Sequence, residues 1–203
     1  YAKMIKFFDI DSSKPFLKFI ENYKEAKKKN QKNIEAVCIS SYNPTNNQVS
    51  SRFVNLKYIK KNKMYFFSNY ESPKARDFYE HRQVAANFFW NSINVQIRIK
   101  GEIFIASSEE SDAHFLQRSK EKNVLSICSN QSAVINSYED VIEKYNITFN
   151  QIKKNDINRP DHWGGFYIVP SHIEFWFGND FRINKRTLYK LRNEKWNKFI
   201  LEP

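Results

Sequence analysis

Two arginines near the C-terminal end of the chain have the type and spacing to bind an anionic ligand. Arg182 and Arg186 lie four residues apart in the stretch FRINKR, shortly after the aromatic run IEFWF that contains Trp176. The stretch is predicted to be a strand, and because strand side chains alternate, Arg182, Asn184 and Arg186 are predicted to share one face. Guanidinium groups bind phosphate through paired hydrogen bonds, so this face is a candidate anion site.

The net charge of the chain also suits a small anion. The formal net charge is +11 over 203 residues. The densest lysine runs, KEAKKKNQK and KYIKKNK, fall at a predicted helix end and in a predicted turn, where such runs are usually solvated. We therefore expect no nucleic-acid partner, and we expect the excess charge to suit a small molecule that carries a phosphate.

The sequence lacks the motifs through which side chains alone catalyse difficult reactions. It contains no Walker loop, no GxGxxG, no GxSxG, no HExxH and no EF-hand loop. The histidines do not recur at metal-ligand spacing; they are His81, His114, His162 and His172. No metal site is expected, and the remaining classes are a binding protein or an enzyme whose chemistry comes from a cofactor.

Cysteine usage and apolar run lengths predict a cytoplasmic protein. Cys38 and Cys128 form no CxxC pair and lie among apolar residues, as small buried hydrophobes of a reducing compartment do. No apolar run approaches the length of a membrane helix and no secretory signal opens the chain, so no membrane partner is expected. The first residue is Tyr1 rather than Met, so we expect a further N-terminal segment in the full protein.

Hydrophobic periodicity predicts a single, mainly β domain over residues 1–203. Helical spacing of Phe16, Phe19 and Tyr23 predicts a helical N-terminal segment at 1–30. Strands are predicted in IEAVCISSY, VSSRFVNLKYI, KMYFFSNY, VAANFFWNS and NVQIRIKGEIFIAS, and again over 163–203. Further helices are predicted in ESPKARDFYEHR, SEESDAHFLQRS, KNVLSI and SYEDVIEKYNITFNQI. This order predicts a mostly antiparallel barrel with helices packed around it.

Several blocks occur in the order and with the separations of one enzyme family. They are SRFVNLK, FFSNYESPK, NFFWNSINVQIRIKGEI, SNQS, NRPDHWGGFYIVP and IEFWFGNDFRINKR. Together they resemble the pyridoxamine 5′-phosphate oxidase family, whose members are FMN enzymes with a split-barrel fold. The resemblance extends from about Phe16 to Pro203, and the pairing of WGG with IEFW is fairly specific to the family. It implies one FMN-binding split β-barrel domain, in which 163–203 form family-specific strands.

The resemblance implies an FMN site built from many parts of the chain. The residues at its cofactor positions are Arg52, Phe53, Val54, Asn55, Phe67, Ser68, Lys74, Gln96, Gln131, Ser132, Trp176 and Arg186. The cations Arg52 and Lys74, with Ser68 and Ser132, would hold the FMN phosphate by charge-assisted hydrogen bonds. The amide of Gln96 would meet the isoalloxazine edge. Gln96 is notable by itself because it interrupts an apolar strand, where a polar amide needs a partner.

The resemblance also implies a site for a phosphorylated substrate. The residues at its substrate positions are Lys57, His114, Arg118, Lys122, Arg182 and Asn184, of which Arg182 and Asn184 are the expected catalytic residues. The chain departs from the family pattern at Pro73 (usually Arg), Val95 (Arg), His114 (Tyr), Lys122 (Ser) and Asn184 (His). Lys122 and His114 can still bind phosphate, whereas Asn184 can hydrogen-bond a ring substituent but carries no charge.

The expected activity is oxidation of pyridoxine or pyridoxamine 5′-phosphate to pyridoxal 5′-phosphate, with O2 reduced to H2O2. The resemblance also implies a homodimer with two FMN sites at its interface. Two alternatives stay open. One is a related FMN oxidase that acts on another ring substrate, as in phenazine biosynthesis. The other is a non-catalytic split-barrel protein that binds FMN, heme or pyridoxal phosphate.

Overall fold

The computed structural model describes residues 4–152 and 157–203, and the strands and helices of these residues agree with a mainly β fold. The strands are β1 (Lys6–Phe8), β2 (Ala36–Asn43), β3 (Gln48–Asn55), β4 (Tyr58–Lys60), β5 (Lys63–Asn69), β6 (Gln83–Trp90), β7 (Val95–Ile105), β8 (Trp163–Phe177), β9 (Lys185–Arg192) and β10 (Lys195–Leu201). The helices are α1 (Lys14–Lys28), α2 (Pro73–Glu80), α3 (Ser108–Leu116), α4 (Lys120–Cys128) and α5 (Tyr138–Gln151).

These strands form one sheet whose ends do not pair to close a barrel. The strand order is β1-β4-β5-β8-β7-β6-β2-β3, while β9 pairs with β8 and β10 pairs with β9. The pairings are antiparallel except for the parallel pair of β1 and β4. In the described part of the chain no pairing joins β1 to β3, so the sheet stays open. The prediction of a mostly antiparallel sheet with flanking helices is confirmed.

The long strand β8 connects the two parts of the sheet. Its residues 163–168 pair with β5, its residues 172–177 pair with β9, and β7 pairs with both stretches. The register between β7 and β8 shifts between Lys100 and Gly101, as at a β-bulge. Gly101 suits this point because a Cβ there would overlap the main-chain carbonyl of Val169. Residues on either side of this irregularity therefore belong to two parts of the sheet, one paired with β5 and the other with β9.

Strand alternation and helical spacing build the core that holds the site in place. On β6 the buried side chains alternate along the strand; they are Val84, Ala86, Phe88 and Trp90. On α1, Phe19 contacts both Phe88 and Trp90 edge-to-face, with ring centroids 5.4 Å apart in each pair. Burying a side chain of this size stabilises the fold by roughly 1.5–3 kcal/mol. These contacts fix α1 against the sheet.

Two predicted segments differ from the structure. VSSRFVNLKYI is two strands, because the backbone changes partners between Leu56, which donates to the carbonyl of Glu35, and Lys57, which donates to that of Tyr65. The prediction of a wholly helical segment at 1–30 is wrong at β1, which pairs with β4 before α1 begins. Residues 1–3 of that segment lie outside the described residues.

Candidate active site

A buried lysine and a half-buried arginine form a basic cradle beside α2. We define the basic cradle as Arg52, Ser68, Ser72, Lys74 and Gln131. Lys74 lies in the first turn of α2, directly after the N-terminal Pro73, and its Nζ donates to Ser72 Oγ at 2.9 Å and to Gln131 Oε1 at 3.4 Å. Ser68 Oγ donates to the same Gln131 oxygen at 3.3 Å. Four predicted cofactor residues therefore come together, although they are spread over 80 positions of the sequence.

An acidic side chain behind the basic cradle fixes the position of Arg52. Arg52 Nη1 donates to Ser41 Oγ at 2.7 Å, and its Nη2 lies 3.8 Å from Asp77 Oδ2. Ser41 Oγ donates in turn to Asp77 Oδ2 at 2.6 Å, and Asn43 Nδ2 donates to Asp77 Oδ1 at 3.0 Å. The hydrogen bonds from Ser41 and Asn43 hold the Asp77 carboxylate in place, and each of its oxygens can accept more than one hydrogen bond, so it can also orient the arginine.

The charge of the basic cradle fits a phosphate dianion. Burial, followed by the charge of Arg52, lowers the pKa of Lys74 from 10.5 to about 8. Within the described residues Lys74 has no carboxylate partner, and its hydrogen-bond acceptors are neutral. A buried ammonium without a counter-charge is costly, whereas a bound phosphate would supply two negative charges and several acceptors. The cradle is therefore chemically suited to the phosphate of FMN.

A second cluster of cations lines a cavity of about 690 Å³ between β1, β4 and the helices α3 and α4. Four of the six predicted substrate residues line it; they are Lys57, His114, Arg118 and Lys122. Asn55, Phe67 and Trp163 contribute to the same walls. Phe67 and Ser68 are adjacent on β5, so one strand serves both the cavity and the basic cradle.

His114 is a neutral, stacked side chain in this cavity. Its ring stacks on Phe67 with centroids 3.8 Å apart and an interplanar angle of 10°. Burial is the largest cause that lowers its pKa, to about 3, and the next is the charge of Arg118. At neutral pH His114 therefore offers hydrogen bonds and a flat surface but no positive charge.

Arg118 supplies a partly paired guanidinium to the cavity. Its plane lies against the Trp163 ring, with Cζ 4.3 Å from the centroid, and its Nη2 donates to the carbonyl of Lys122 at 2.7 Å. Its Nη1 is buried and has no hydrogen-bond partner in the described structure. Burial lowers its pKa to about 10, so the group stays charged at neutral pH. Because Arg118 lines the cavity, its charged guanidinium can attract an anion bound there.

The third group of predicted residues lies on a different part of the sheet. Gln96, Trp176 and Arg186 are direct neighbours on β7, β8 and β9, so their side chains share one face. Arg186 Nε donates to Glu174 Oε1 at 2.9 Å, and the other oxygen of this carboxylate accepts from Arg98 at 3.2 Å. None of these residues lines the 690 Å³ cavity. The three residues therefore lie together on one sheet face, and one chain does not place them in the cavity.

The predicted strand placement of Arg182 and Asn184 is wrong. β9 begins at Lys185, and Arg182 lies in a turn with a left-handed φ of 61°. Asn184 Oδ1 accepts from the main-chain nitrogen of Asn179 at 3.0 Å, which closes this turn. The turn-forming sequence GND, which precedes Phe181, explains the outcome because it interrupts the strand before Arg182. The argument that Arg182, Asn184 and Arg186 share a strand face therefore fails.

The remaining predicted positions lie near the two basic clusters. Phe53 and Asn55 are exposed on β3, with Val54 half-buried between them. Ser132 follows Gln131 in a turn with a φ of 71°. No sequence pattern indicated a role for Asp77 and Ser41, which orient Arg52. Both are polar residues within otherwise regular elements, and only the packing of α2 against β2 brings them together.

Comparison with solved structures shows the class of fold. The structure superimposes on PhzG from Burkholderia lata, solved in complex with tetrahydrophenazine-1-carboxylic acid, with a TM-score of 0.87 and 21% identity, covering 94% of this chain and 93% of that one. It also superimposes on a pyridoxamine 5′-phosphate oxidase-related, FMN-binding protein from Nostoc punctiforme, with a TM-score of 0.78 and 14% identity, covering 95% and 100%. The fold is the FMN-binding split barrel.

Sequence comparison shows the family. The family models described as pyridoxamine 5′-phosphate oxidase and as the C-terminal dimerisation region of pyridoxine 5′-phosphate oxidase match residues 23–144 and 163–203. A Leptospira biflexa protein named pyridoxine/pyridoxamine 5′-phosphate oxidase is 35% identical, covering 89% of this chain and 85% of that protein. A Trichormus variabilis protein of the same name is 33% identical, covering 96% and 91%. The chain belongs to the pyridoxamine 5′-phosphate oxidase family of oxidoreductases.

Three further observations concern metal ligands, membrane spans and cysteines. The described residues contain no group of His, Cys, Asp or Glu side chains arranged to hold a metal ion. None of the described helices is long and apolar enough to cross a membrane. Cys38 is half-buried, Cys128 is buried, and both are free thiols.

Proposed function

We propose that the protein is an FMN-dependent oxidase that converts pyridoxine or pyridoxamine 5′-phosphate to pyridoxal 5′-phosphate and reduces O2 to H2O2. The observation that carries this proposal is the presence of two separate basic clusters that adjoin on β5. The basic cradle suits the phosphate of a cofactor, and the cavity with Lys57, Arg118 and Lys122 suits the phosphate of a substrate. A protein that bound FMN alone would need only the first cluster.

The side chains of the proposed site bind and orient rather than react. Arg52 and Lys74 would hold the FMN phosphate, and the guanidinium of Arg118 would hold the substrate phosphate in the cavity that it lines. The flat rings of Phe67 and Trp163 would restrict the orientation of a planar substrate ring and exclude water from that wall. When bound, FMN supplies the hydride-accepting chemistry that these side chains lack.

We propose that the site is completed in a homodimer. Gln96, Trp176 and Arg186 share a sheet face with Phe89, which is 57% exposed and pairs in register with Gln96. Further along the same sheet Phe53 is 74% exposed. Exposed aromatic residues on a continuous sheet face are typical of an interface. A second copy docked on this face would bring Gln96, Trp176 and Arg186 to an FMN held in the partner's basic cradle, and the match of 163–203 to a dimerisation region supports this arrangement.

A second candidate is an FMN oxidase that acts on another ring substrate. The observation that favours it is the placement of Asn184, whose amide oxygen closes its own turn instead of standing open toward a ligand. The replacements at His114 and Lys122 also alter the chemistry of the cavity wall. The retained cations Lys57 and Arg118 favour the phosphorylated substrate.

A steady-state assay tests the proposed function. The FMN-saturated, full-length protein is supplied with pyridoxine 5′-phosphate, pyridoxamine 5′-phosphate or unphosphorylated pyridoxine, and both H2O2 and the aldehyde product are measured. We expect both phosphate esters to be turned over and pyridoxine to be turned over with a much lower kcat/KM. Peroxide formation from an unphosphorylated ring alone would favour the second candidate, and no turnover of any ring would contradict an oxidase.

A further inference from the structure

Strand β1 places a cation in the substrate cavity that the sequence motifs do not include. We propose that Lys6 is a specificity-determining residue that binds the phosphate of the substrate from the side opposite Arg118. This inference rests on the proposed function of the cavity as a site for a phosphorylated ring. It assigns a role to β1, which no motif of the sequence predicted.

The backbone of β1 is held firmly enough to position a side chain. The nitrogen of Lys6 donates to the carbonyl of Lys57 at 3.0 Å, and the nitrogen of Ile5 donates to the hydroxyl of Tyr23 at 3.0 Å. The Ile5 side chain is 4% exposed and belongs to the hydrophobic core. Lys6 thus has a fixed main chain, and its backbone is bonded directly to that of another cavity cation.

The register of β1 directs Lys6 into the cavity. Lys6 is the direct partner of Tyr58 in the parallel pair of β1 and β4, so the two side chains leave the sheet on the same face. The Tyr58 ring faces Phe67 and His114, with centroid distances of 6.0 and 6.5 Å. Lys6 and Tyr58 both line the 690 Å³ cavity.

The ammonium group of Lys6 reaches the region of Arg118. Its Nζ lies 3.5 Å from the side-chain oxygen of Gln117, the residue directly before Arg118. Its charge is also among those that lower the pKa of His114, after Arg118 and Lys57 and ahead of Lys122. The charge of Lys6 therefore acts on His114 more strongly than that of Lys122, which the sequence motifs selected.

The charge of Lys6 is available for a ligand. Lys60, another cavity lysine, pairs with Glu110 at 3.5 Å, whereas Lys6 forms no ion pair within residues 4–152 and 157–203. On this side of the cavity His114 is neutral and Glu110 is paired with Lys60, so the charge left for an anion is that of Arg118, which follows α3. A phosphate held between Lys6 on β1 and Arg118 after α3 would be contacted by a cation from each side. Charge pairing with both cations would favour a phosphate ester over the unphosphorylated alcohol.

Equilibrium binding to the full-length, FMN-saturated protein tests the role of Lys6. The probes are 4-deoxypyridoxine 5′-phosphate and 4-deoxypyridoxine, which lack the C4′ oxygen and so are neither oxidised nor able to form an imine with a lysine. Lys6→Met should weaken binding of the phosphorylated probe about tenfold and leave the unphosphorylated probe unchanged, as loss of one charge-assisted hydrogen bond would. Lys6→Arg should recover most of the loss. Lys24→Met removes an exposed lysine charge on α1 and should change neither affinity.

The outcomes separate this inference from the proposed function. If Lys6→Met binds the phosphorylated probe as tightly as the parent while Lys57→Met or Arg118→Ala does not, the phosphate is held without Lys6 and the inference is overturned. If the parent binds both probes equally, the cavity has no phosphate subsite and the proposed substrate fails as well. If Lys6→Met weakens both probes alike, Lys6 acts on the fold of the cavity and not on the phosphate.

Discussion

Arg52 is the residue in the basic cradle whose removal should affect FMN most clearly. Replacing Arg52 by Ala should weaken FMN binding by about 2–4 kcal/mol, because it removes a guanidinium that pairs with a buried phosphate. Asp77 would keep its hydrogen bonds from Ser41 and Asn43, so the local fold should persist. Quenching of flavin fluorescence on titration gives the affinity.

Arg76→Ala is the matched control for this change, since Arg76 is an exposed arginine on α2 close to Lys74 in the sequence. It should bind FMN like the parent protein. An equal loss of affinity in both variants would show that only long-range charge matters. No loss in Arg52→Ala would remove Arg52 from the phosphate site.

Lys74 should make FMN binding depend on pH in the alkaline range. Its folded pKa is about 8, below 10.5, so free protein loses this proton as the pH rises through 8. A bound phosphate favours the charged form and raises the pKa, so the complex keeps the proton. FMN affinity should therefore be level between pH 7 and 8 and fall by up to tenfold per unit above about pH 8. Lys74→Arg keeps its charge throughout and should remove this fall.

If the affinity of the parent protein for FMN stays level up to pH 10, Lys74 does not lose its proton beside the phosphate, and the assigned role of Lys74 is contradicted.

The lowered pKa of Lys74 also affects the stability of the free protein. Between pH 8 and 10.5 the unfolded chain binds more protons at Lys74 than the folded chain does, so this group makes the free protein more stable as the pH rises through that window.

The chemical state of His114 shows what could be predicted at the level of single residues and what could not. Its place in a substrate site followed from the resemblance of the surrounding motifs. Its neutral state did not follow, because the lowered pKa depends first on burial, in a site where the ring stacks on Phe67, and then on the nearby charge of Arg118. Phe67 is distant in the sequence, so only the folded chain brings the two rings together.

At the level of elements, the turn between β8 and β9 decides how Arg182 can act. Arg182→Ala should lower kcat/KM by roughly 10²-fold while FMN stays bound, if the guanidinium touches the substrate in the transition state. Arg182 already carries the left-handed strain of a φ of 61°, about 1–2 kcal/mol, so an alanine there adds none, whereas glycine would relieve it. Arg182→Gly is therefore the control, and it should lose as much activity as Arg182→Ala.

Parent-like activity of either variant would show that the guanidinium of Arg182 is not needed for turnover. Kinetics with pyridoxine 5′-phosphate on FMN-saturated variants give the comparison. Equal affinity of all variants for FMN is required before the rates are interpreted.

Elements with clear hydrophobic periodicity were predicted well, whereas elements defined by hydrogen bonds to residues distant in the sequence were not. The alternation of β6 and the helical spacing of α1 identified both elements, because each buries one regular face in the core. The break between β3 and β4 and the short strand β1 were missed. Both depend on distant carbonyl groups, those of Glu35, Tyr65 and Lys57, which no local pattern reveals.

At the scale of the whole molecule, the exposed face around Gln96 should be a dimer interface. Phe89→Asp places a charge at the centre of that face and should give monomers at micromolar concentration, as measured by light scattering. Because Gln96, Trp176 and Arg186 would then no longer reach a partner's cofactor, FMN affinity should fall together with dimerisation. Leu17→Asp, at an exposed apolar position on α1, is the control and should remain a dimer.

Loss of dimerisation with unchanged FMN affinity would contradict a site shared between two copies. A monomeric parent protein that still bound FMN would contradict the dimer itself. The resemblance placed Gln96, Trp176 and Arg186 at cofactor positions. It did not predict their separation from the cavity within one chain, because that separation is a property of the assembled sheet.

Anaerobic reduction of the bound flavin tests the central claim most directly, since it requires the cofactor, the substrate cavity and their relative placement at once. The FMN-loaded protein is mixed with pyridoxine 5′-phosphate in the absence of O2, and the loss of the yellow flavin absorbance is followed in time. We predict full bleaching at a rate that saturates with the phosphate ester, and much slower bleaching with unphosphorylated pyridoxine. A flavin that stays oxidised with the phosphate ester, in protein shown to carry FMN, would contradict the account.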